Sequence, residues 1–381
     1  MNRHAMANSD PIVLQIIPRV PGSHHDGVGD YALNLAKALS THHGITTLFA
    51  VAEDRGVSSK DGFEVVSIAR LGSVNGRYDR VILHYVNYGY QNRGVPIGLL
   101  STLRRLRGNF RGRFVTIFHE LYASTSPWGS AFWLQPLQRH VARSISQLAD
   151  VCFVTSGTAL AQLRRLNPSV RAFVQPVVSN FGEPALSQTQ IADRDPHCWV
   201  ICGGTALVER SVQSFQKIVG RVPEFFSLRE LFVIGGNDNA ALHAALHAAL
   251  RELPSVKSVY RPQVGAKEAS QILSACSFGW LDYFHRSDAP TDALLKSSVF
   301  AAFCAHGVIP ALPHRTSRLA VEADSLPGPF FIDRASTQLP AESERARVAT
   351  EFYDWYHRRA SLKHLARKIA EALGLAAQPD L

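Results

Sequence analysis

Cysteine is scarce in this chain: five in 381 residues, at positions 152, 198, 202, 276 and 304. They are scattered, mostly inside apolar runs, with no CxxC pair and no histidine at zinc-site spacing. A zinc-binding or disulfide framework is therefore excluded in favour of buried free thiols. Also missing is an uninterrupted run of about 18 apolar residues, the length a membrane-crossing helix needs. The first ten residues lack the basic-then-apolar order of a signal peptide, so the expected location is the cytoplasm. Metal sites are equally thin: His243 and His247 share a helix face at i, i+4 but have no third ligand, and the segment reads as a surface helix.

What is there is enough for two cores, with 46% hydrophobic and 19% charged residues. Against 31 acidic residues stand 40 lysines and arginines, a net charge of +9, which favours anionic partners. β-rich apolar runs at 12–17, 46–51, 63–68, 79–85, 114–118 and 151–155 alternate with helical spacing at 30–40, 97–107, 131–148 and 157–166. That is the rhythm of a parallel α/β sheet. An irregular polar stretch interrupts it, and the rhythm then resumes. Strands are expected at 199–202, 230–234, 256–260, 277–281, 308–311 and 329–332, with helices near 209–219, 239–251, 266–274 and 293–306. The expected division is a first domain over 1–183, a linker over 184–196, a second doubly wound domain over 197–341, and helices over 342–381 bracing both.

The segment His-Asp-Gly-Val-Gly-Asp-Tyr at 25–31 follows the first strand and opens an amphipathic helix with Asp30 as its N-cap. Gly27 and Gly29 have no side chain to hold a ligand away, and the N–H groups of a first helical turn favour an anion. The same pattern also serves a plain tight turn. His119 lies where the strand 114–118 gives way to a loop, the end at which α/β sheets present functional side chains. Arg210 follows Gly203-Gly204 near a helix start, where a guanidinium can clamp a diphosphate. Lys296, Ser297 and Ser298 offer a cation and two hydroxyls at a helix start, for phosphate or for capping. Tyr85, Asn87 and Tyr88, after the strand 79–83, combine aromatic faces with an amide and suit sugar recognition. The arginine-rich, leucine-rich stretch 99–114 is a basic amphipathic helix, for anionic lipid or for packing. No aromatic-interleaved RNA motif accompanies it, and no nucleic acid partner is expected.

Taken together, four segments resemble the GT-B glycosyltransferases, in particular their large retaining branch that uses nucleotide-sugar donors. They are Gly27-Val28-Gly29-Asp30-Tyr31, Phe118-His119-Glu120, Gly203-Gly204-Thr205 through Glu209-Arg210, and Lys296-Ser297-Ser298 through Gly307-Val308-Ile309-Pro310. The resemblance implies two Rossmann-like domains facing across a cleft and transfer of a sugar, with retention, from a nucleoside-diphosphate sugar to a glycan or glycolipid hydroxyl. It implies a UDP- or GDP-sugar as co-substrate, no bound metal or other cofactor, and work at the inner face of a membrane in bacterial polysaccharide or glycoconjugate assembly. His119 is then the catalytic-site histidine beside the donor sugar. Gly27, Gly29, Gly204, Arg210, Arg261, Lys296, Ser297 and Ser298 hold the donor, while Tyr85, Asn87 and Tyr88 meet the acceptor. Two departures stand out. Thr205 occupies the place of an arginine that normally accompanies the cation at 210, and Leu294 and Ala302 occupy the places of two glutamates. Asp282 and Asp288 are candidate substitutes near the sugar. The alternative implied by those losses is a non-catalytic GT-B protein that binds a glycan, lipid or partner subunit. A nicotinamide-dependent dehydrogenase would rest on the first glycine turn alone, which lacks a third spaced glycine.

Overall fold

The computed structural model describes residues 11–22, 27–53, 56–123, 130–219, 225, 227–251, 253–284, 289–313, 320–321, 324–328, 330–332 and 339–375. His25, Asp26 and Asp288 lie outside these. The chain forms two units, residues 1–175 with 362–381, and residues 176–361.

In the first unit, apolar runs make buried strands and the intervening periodic segments make helices. The order is β1 (Ile12–Ile17), α1 (Gly27–His43), β2 (Thr46–Val51), β3 (Ser59–Lys60) and β4 (Phe63–Ser67), followed by a 3-10 helix over Ile68–Val74. Then come β5 (Arg80–Tyr85), α2 (Asn87–Tyr90), α3 (Ile97–Asn109), β6 (Arg113–Phe118), α4 (Ser130–Leu148), β7 (Val151–Val154), α5 (Gly157–Leu166) and β8 (Ala172–Val174). The strands assemble in the order β3-β4-β2-β1-β5-β6-β7-β8, parallel except for β3 against β4. The near-continuous burial of β1, β2, β5, β6 and β7 is that of strands covered on both faces. Helix α1 begins at Gly27, so Asp30 is an acidic residue in its first turn rather than its N-cap; there it complements the helix dipole instead.

The second unit contains α6 (Gln188–Ala192), β9 (Cys198–Gly203), α7 (Thr205–Ile218), β10 (Glu230–Gly235), α8 (Ala240–Leu250), β11 (Lys257–Arg261), α9 (Ala266–Ala275) and β12 (Phe278–Trp280). After a 3-10 helix over Thr291–Lys296 follow α10 (Ser298–Ala305), β13 (Ile309–Pro313), β14 (Ala320–Val321), β15 (Asp324–Ser325), β16 (Phe330–Ile332) and α11 (Glu342–Arg359). Its parallel sheet runs β11-β10-β9-β12-β13-β16, with β14 and β15 forming a small antiparallel pair. The helix expected over 293–306 is broken at Ser297, whose hydroxyl caps α10 by accepting from the Phe300 N–H at 3.2 Å.

The chain leaves the first unit at Gln175–Pro176, ahead of the stretch 184–196 expected as a linker. That stretch is built into the second unit. Ser187 and Gln190 form a capping box that starts α6, and α6 packs on α11. Residues 342–381 do not act as one piece either. The chain turns at Ala360–Ser361, and α12 (Leu362–Ala372) returns to the first unit, where it packs on α1. No described helix is long and apolar enough to cross a membrane. In α3, Leu99, Leu100 and Leu103 are buried while Arg104 and Arg105 are exposed. Its leucines are used in packing, while Ile97 at its start is exposed beside the arginines.

Candidate functional site

In the first unit the site grows from polar residues in the middle of apolar strands. Side chains two apart on a strand share a face. Thr47 of β2 is in register with Val13, two residues before Gln15. Gln15 is in register with Ile82, two before His84, and His84 is in register with Ile117, two before His119. The four side chains therefore climb one sheet face across β2, β1, β5 and β6, toward the carboxyl ends of the strands.

They are hydrogen-bonded in series. Gln15 Nε2 donates to Thr47 Oγ1 at 3.1 Å, Gln15 Oε1 lies 2.8 Å from His84 Nε2, and His84 Nδ1 lies 3.2 Å from His119 Nε2. Thr47, Gln15 and His84 are buried and His119 is half-buried. Burial, with the neighbouring His119 second, holds the His84 imidazole well below the usual histidine range. Tyr31, in the first turns of α1, sets its ring edge-on to both histidines, with centroids at 4.9 Å to His119 and 5.8 Å to His84. The glycine-led start of α1 is thereby tied to the strand end that carries His119. Gln15 and Thr47 did not emerge from the motifs, and Tyr31 did so only as the end of the glycine segment. A lone glutamine in Ile-Val-Leu-Gln-Ile-Ile is the signal that points to Gln15 and Thr47, because a buried amide needs partners.

The three residues expected to meet an acceptor separate. Tyr85 is fully buried on the opposite sheet face from His84, edge-on to Phe118 at 5.4 Å, and its hydroxyl has no hydrogen-bond partner. It is a core residue, because alternation along β5 turns it away from the His84 face. Asn87, the first residue of α2, is also fully buried, and neither of its amide atoms is hydrogen-bonded. Tyr88 is half-buried, and its hydroxyl accepts from Gln138 Nε2 at 3.3 Å. Gln138 also accepts the Ala123 N–H and donates to Arg93 O. Gly94, at φ +70°, completes this cluster: a side chain there would press on Gln138 and Asn87.

In the second unit the glycines come in two pairs. β9 ends in Gly203-Gly204 and the adjacent β10 ends in Gly235-Gly236. Gly203, Gly235 and Gly236 have φ of +144°, +88° and +69°. A Cβ on Gly235 would collide with the Gly203 carbonyl oxygen, and one on Gly236 would come within 3.1 Å of Thr205 Cα. The two turns thus pack backbone on backbone, a geometry that only glycine permits. Thr205 Oγ1 fastens them by accepting the Asn237 N–H at 2.9 Å. Thr205, standing where the resemblance expects an arginine, is a staple between loops. Gly204 is the N-cap of α7, with no side-chain cap and open space where its Cβ would be. The first turn of a 14-residue helix is therefore approachable there.

The cations expected around this turn are arranged differently. Arg210 donates from Nε to Asp282 O at 2.6 Å and from a terminal nitrogen to Tyr283 O at 3.2 Å, so its guanidinium secures the loop after β12. Asp282 lies beside it, with Oδ1 3.8 Å from Arg210 Nε. Arg261 ends β11, exposed and 3.7 Å from Glu268. Lys296 is exposed, whereas Ser297 is buried as a helix cap and Ser298 begins α10. Leu294 and Ala302 are both fully buried, so the places where carboxylates are missing face the interior of the unit. Of the helical pair, His243 meets Asp238 at 2.8 Å and Tyr260 edge-on.

No family model and no curated protein matches this sequence. Solved structures do match. A trehalose-phosphate synthase from Burkholderia xenovorans, in complex with glucose-6-phosphate, is similar at TM-score 0.60 and 10% identity, over 95% of this chain and 100% of that one. An alpha-glucosyltransferase in complex with UDP-glucose and abasic DNA is similar at 0.57 and 13%, over 96% and 100%. The lipopolysaccharide outer core galactosyltransferase WaaB is similar at 0.54 and 12%, over 95% and 99%. The fold is GT-B. Within this GT-B chain, the paired glycine turns belong to one Rossmann-like unit and the His119 series to the other.

Proposed function

We propose that this GT-B protein is a glycosyltransferase that moves a sugar from a nucleoside-diphosphate sugar, UDP- or GDP-linked, to a hydroxyl of a glycan or lipid-linked acceptor. The observation that carries the reading is the Gly203-Gly204 and Gly235-Gly236 pair, closed backbone on backbone at the uncapped start of α7. Such a turn fits a diphosphate: backbone N–H groups and the helix dipole oppose the charge that grows on the leaving group. Similar structures carry UDP-glucose or a sugar phosphate, which supports the ligand class. In the first unit, His119 and the Gly27–Gly29 turn form the sugar-facing group, with half-buried Tyr88 as the remaining acceptor candidate. Arg210 acts by shaping the loop at Asp282 and Tyr283, with its charge held near the diphosphate. Retention follows from the family resemblance; with the acceptor attacking the face that the diphosphate leaves, positioning matters more than a carboxylate base.

A second reading, a non-catalytic GT-B protein that binds a glycan, lipid or partner, is favoured by the burial of Leu294 and Ala302. Two measurements separate the readings. In a thermal-shift panel of UDP, GDP and their sugar conjugates, one base series should raise Tm, by an amount equivalent to about 2.7 kcal/mol at a hundredfold excess over Kd. Gly204→Asp should leave the unliganded Tm unchanged or raised, because aspartate is a good N-cap and its Cβ has room, yet abolish the ligand response by placing a carboxylate where the diphosphate sits. An intact response in Gly204→Asp would overturn the diphosphate assignment. Binding without release of nucleoside diphosphate, across an acceptor screen, would favour the non-catalytic reading.

A further inference from the structure

We propose that Gln15 and His84 are positioning residues that hold His119 in the tautomer carrying its proton on Nε2, with its ring plane set by Tyr31. The argument runs outward from Thr47. Gln15 gives its Nε2 to Thr47 Oγ1, so the atom it turns to His84 is the Oε1 acceptor. His84 must meet that oxygen with an N–H, which places its proton on Nε2. His84 is fully buried and stays neutral, so it has one ring proton and its Nδ1 is a bare lone pair. Across 3.2 Å from that lone pair, His119 Nε2 must be the donor. With Gln15 Nε2 on Thr47 Oγ1, the other His84 tautomer would set two lone pairs against each other between fully buried Gln15 and His84; an amide turned over, with the Thr47 hydroxyl donating to Oε1, would reverse every bond in the series and put the His119 proton on Nδ1.

The series orients and does not conduct. An amide neither takes up nor gives up a proton near neutral pH, and the chain of bonds ends at Thr47, which is 2% exposed. The bond to His84 therefore gives His119 Nε2 no route for proton exchange through the sheet. The two imidazoles lie within 16° of a common orientation, and the Tyr31 ring stands nearly perpendicular to both, so rotation of His119 is opposed from two sides. This deepens the glycosyl-transfer reading and rests on it for the identity of what His119 meets, but not for the tautomer.

The test is long-range nitrogen NMR on the full chain labelled with 15N-histidine, with the signals assigned from His84→Gln and His119→Gln spectra. In the wild type, His84 and His119 should each show a protonated Nε2 and a bare Nδ1. Gln15→Leu removes the Oε1 acceptor, and His119 should then populate both tautomers although residue 15 does not touch it. Gln15→Met, closer in length, serves if the leucine variant does not fold. A wild-type His119 protonated on Nδ1, or an unchanged His119 in a folded residue-15 variant, overturns the proposal. Failure of all sugar nucleotides in the thermal-shift panel would count against glycosyl transfer while leaving the tautomer result in place, so the two ideas fail separately.

Discussion

At the scale of residues, the chain spends its buried polar groups on geometry. His306 in the second unit is fully buried, with Nδ1 2.7 Å from Ala302 O and Nε2 2.8 Å from Ser270 Oγ. Burial moves it from the ordinary 6.5 to about 4. The folded state then refuses a proton that the unfolded chain accepts, so stability is complete above pH 6.5 and is lost as pH falls toward 4, levelling off below. The full loss is about 3 kcal/mol, of which about 2 falls between pH 6.5 and 5. Urea unfolding of wild type and His306→Gln at pH 7.5 and 5 should show that difference in the wild type and a much smaller one in the variant. Equal acid sensitivity would contradict the assignment. The Gln15–His84 pair was only partly legible in the sequence. Polar residues inside apolar strands are visible there, but their mutual register across β1 and β5 is a property of pairing.

At the scale of elements, loops here are secured by side chains on the helices beside them. Ser211 Oγ accepts the Asp282 N–H at 3.1 Å and the Ser211 carbonyl accepts the Trp280 indole N–H at 3.0 Å, next to the Arg210 bonds to Asp282 and Tyr283. One turn of α7 thus holds the exit of β12. Arg210→Ala should lower the unliganded stability of the second unit by about 1.5–3 kcal/mol, the scale of hydrogen bonds from a charged group. Chemical unfolding without ligand would measure it, and no change would return Arg210 to a purely ligand-facing role. The helix starts were legible: Gly203-Gly204 and Lys296-Ser297-Ser298 both sit at real N-termini. What the sequence did not tell is which of their groups are already engaged, since Ser297 is used on Phe300 and Arg210 on carbonyls beyond β12, five elements further along the chain.

At the scale of the molecule, the chain returns to its first unit to finish it. Leu365, Ile369 and Leu373 are fully buried there, and Arg80 Nε donates to Leu373 O at 2.6 Å. Burying three such side chains contributes about 5–8 kcal/mol, comparable to the whole stability of a typical domain. A chain ending at Ser361 should therefore leave residues 1–175 open to limited proteolysis while 176–361 stays protected. Equal protection of both would show that α12 is dispensable. The net charge of +9 acts at this scale as well, favouring anionic ligands without selecting one.

The sequence by itself determined the α/β class, the alternation of strands and helices in both halves, and the glycine turns, because these depend on periodicity and on local backbone needs. It also marked His119 at a strand end. Only tertiary structure decided that Tyr85 faces the core, that Leu294 and Ala302 point inward, that the division falls at 175–176, and that the last helix belongs with the first unit. Those facts depend on which sheet face or neighbouring element each side chain meets. A strand carries its own alternation in its sequence, but the partners that make one face a core and the other a site come from elements far along the chain.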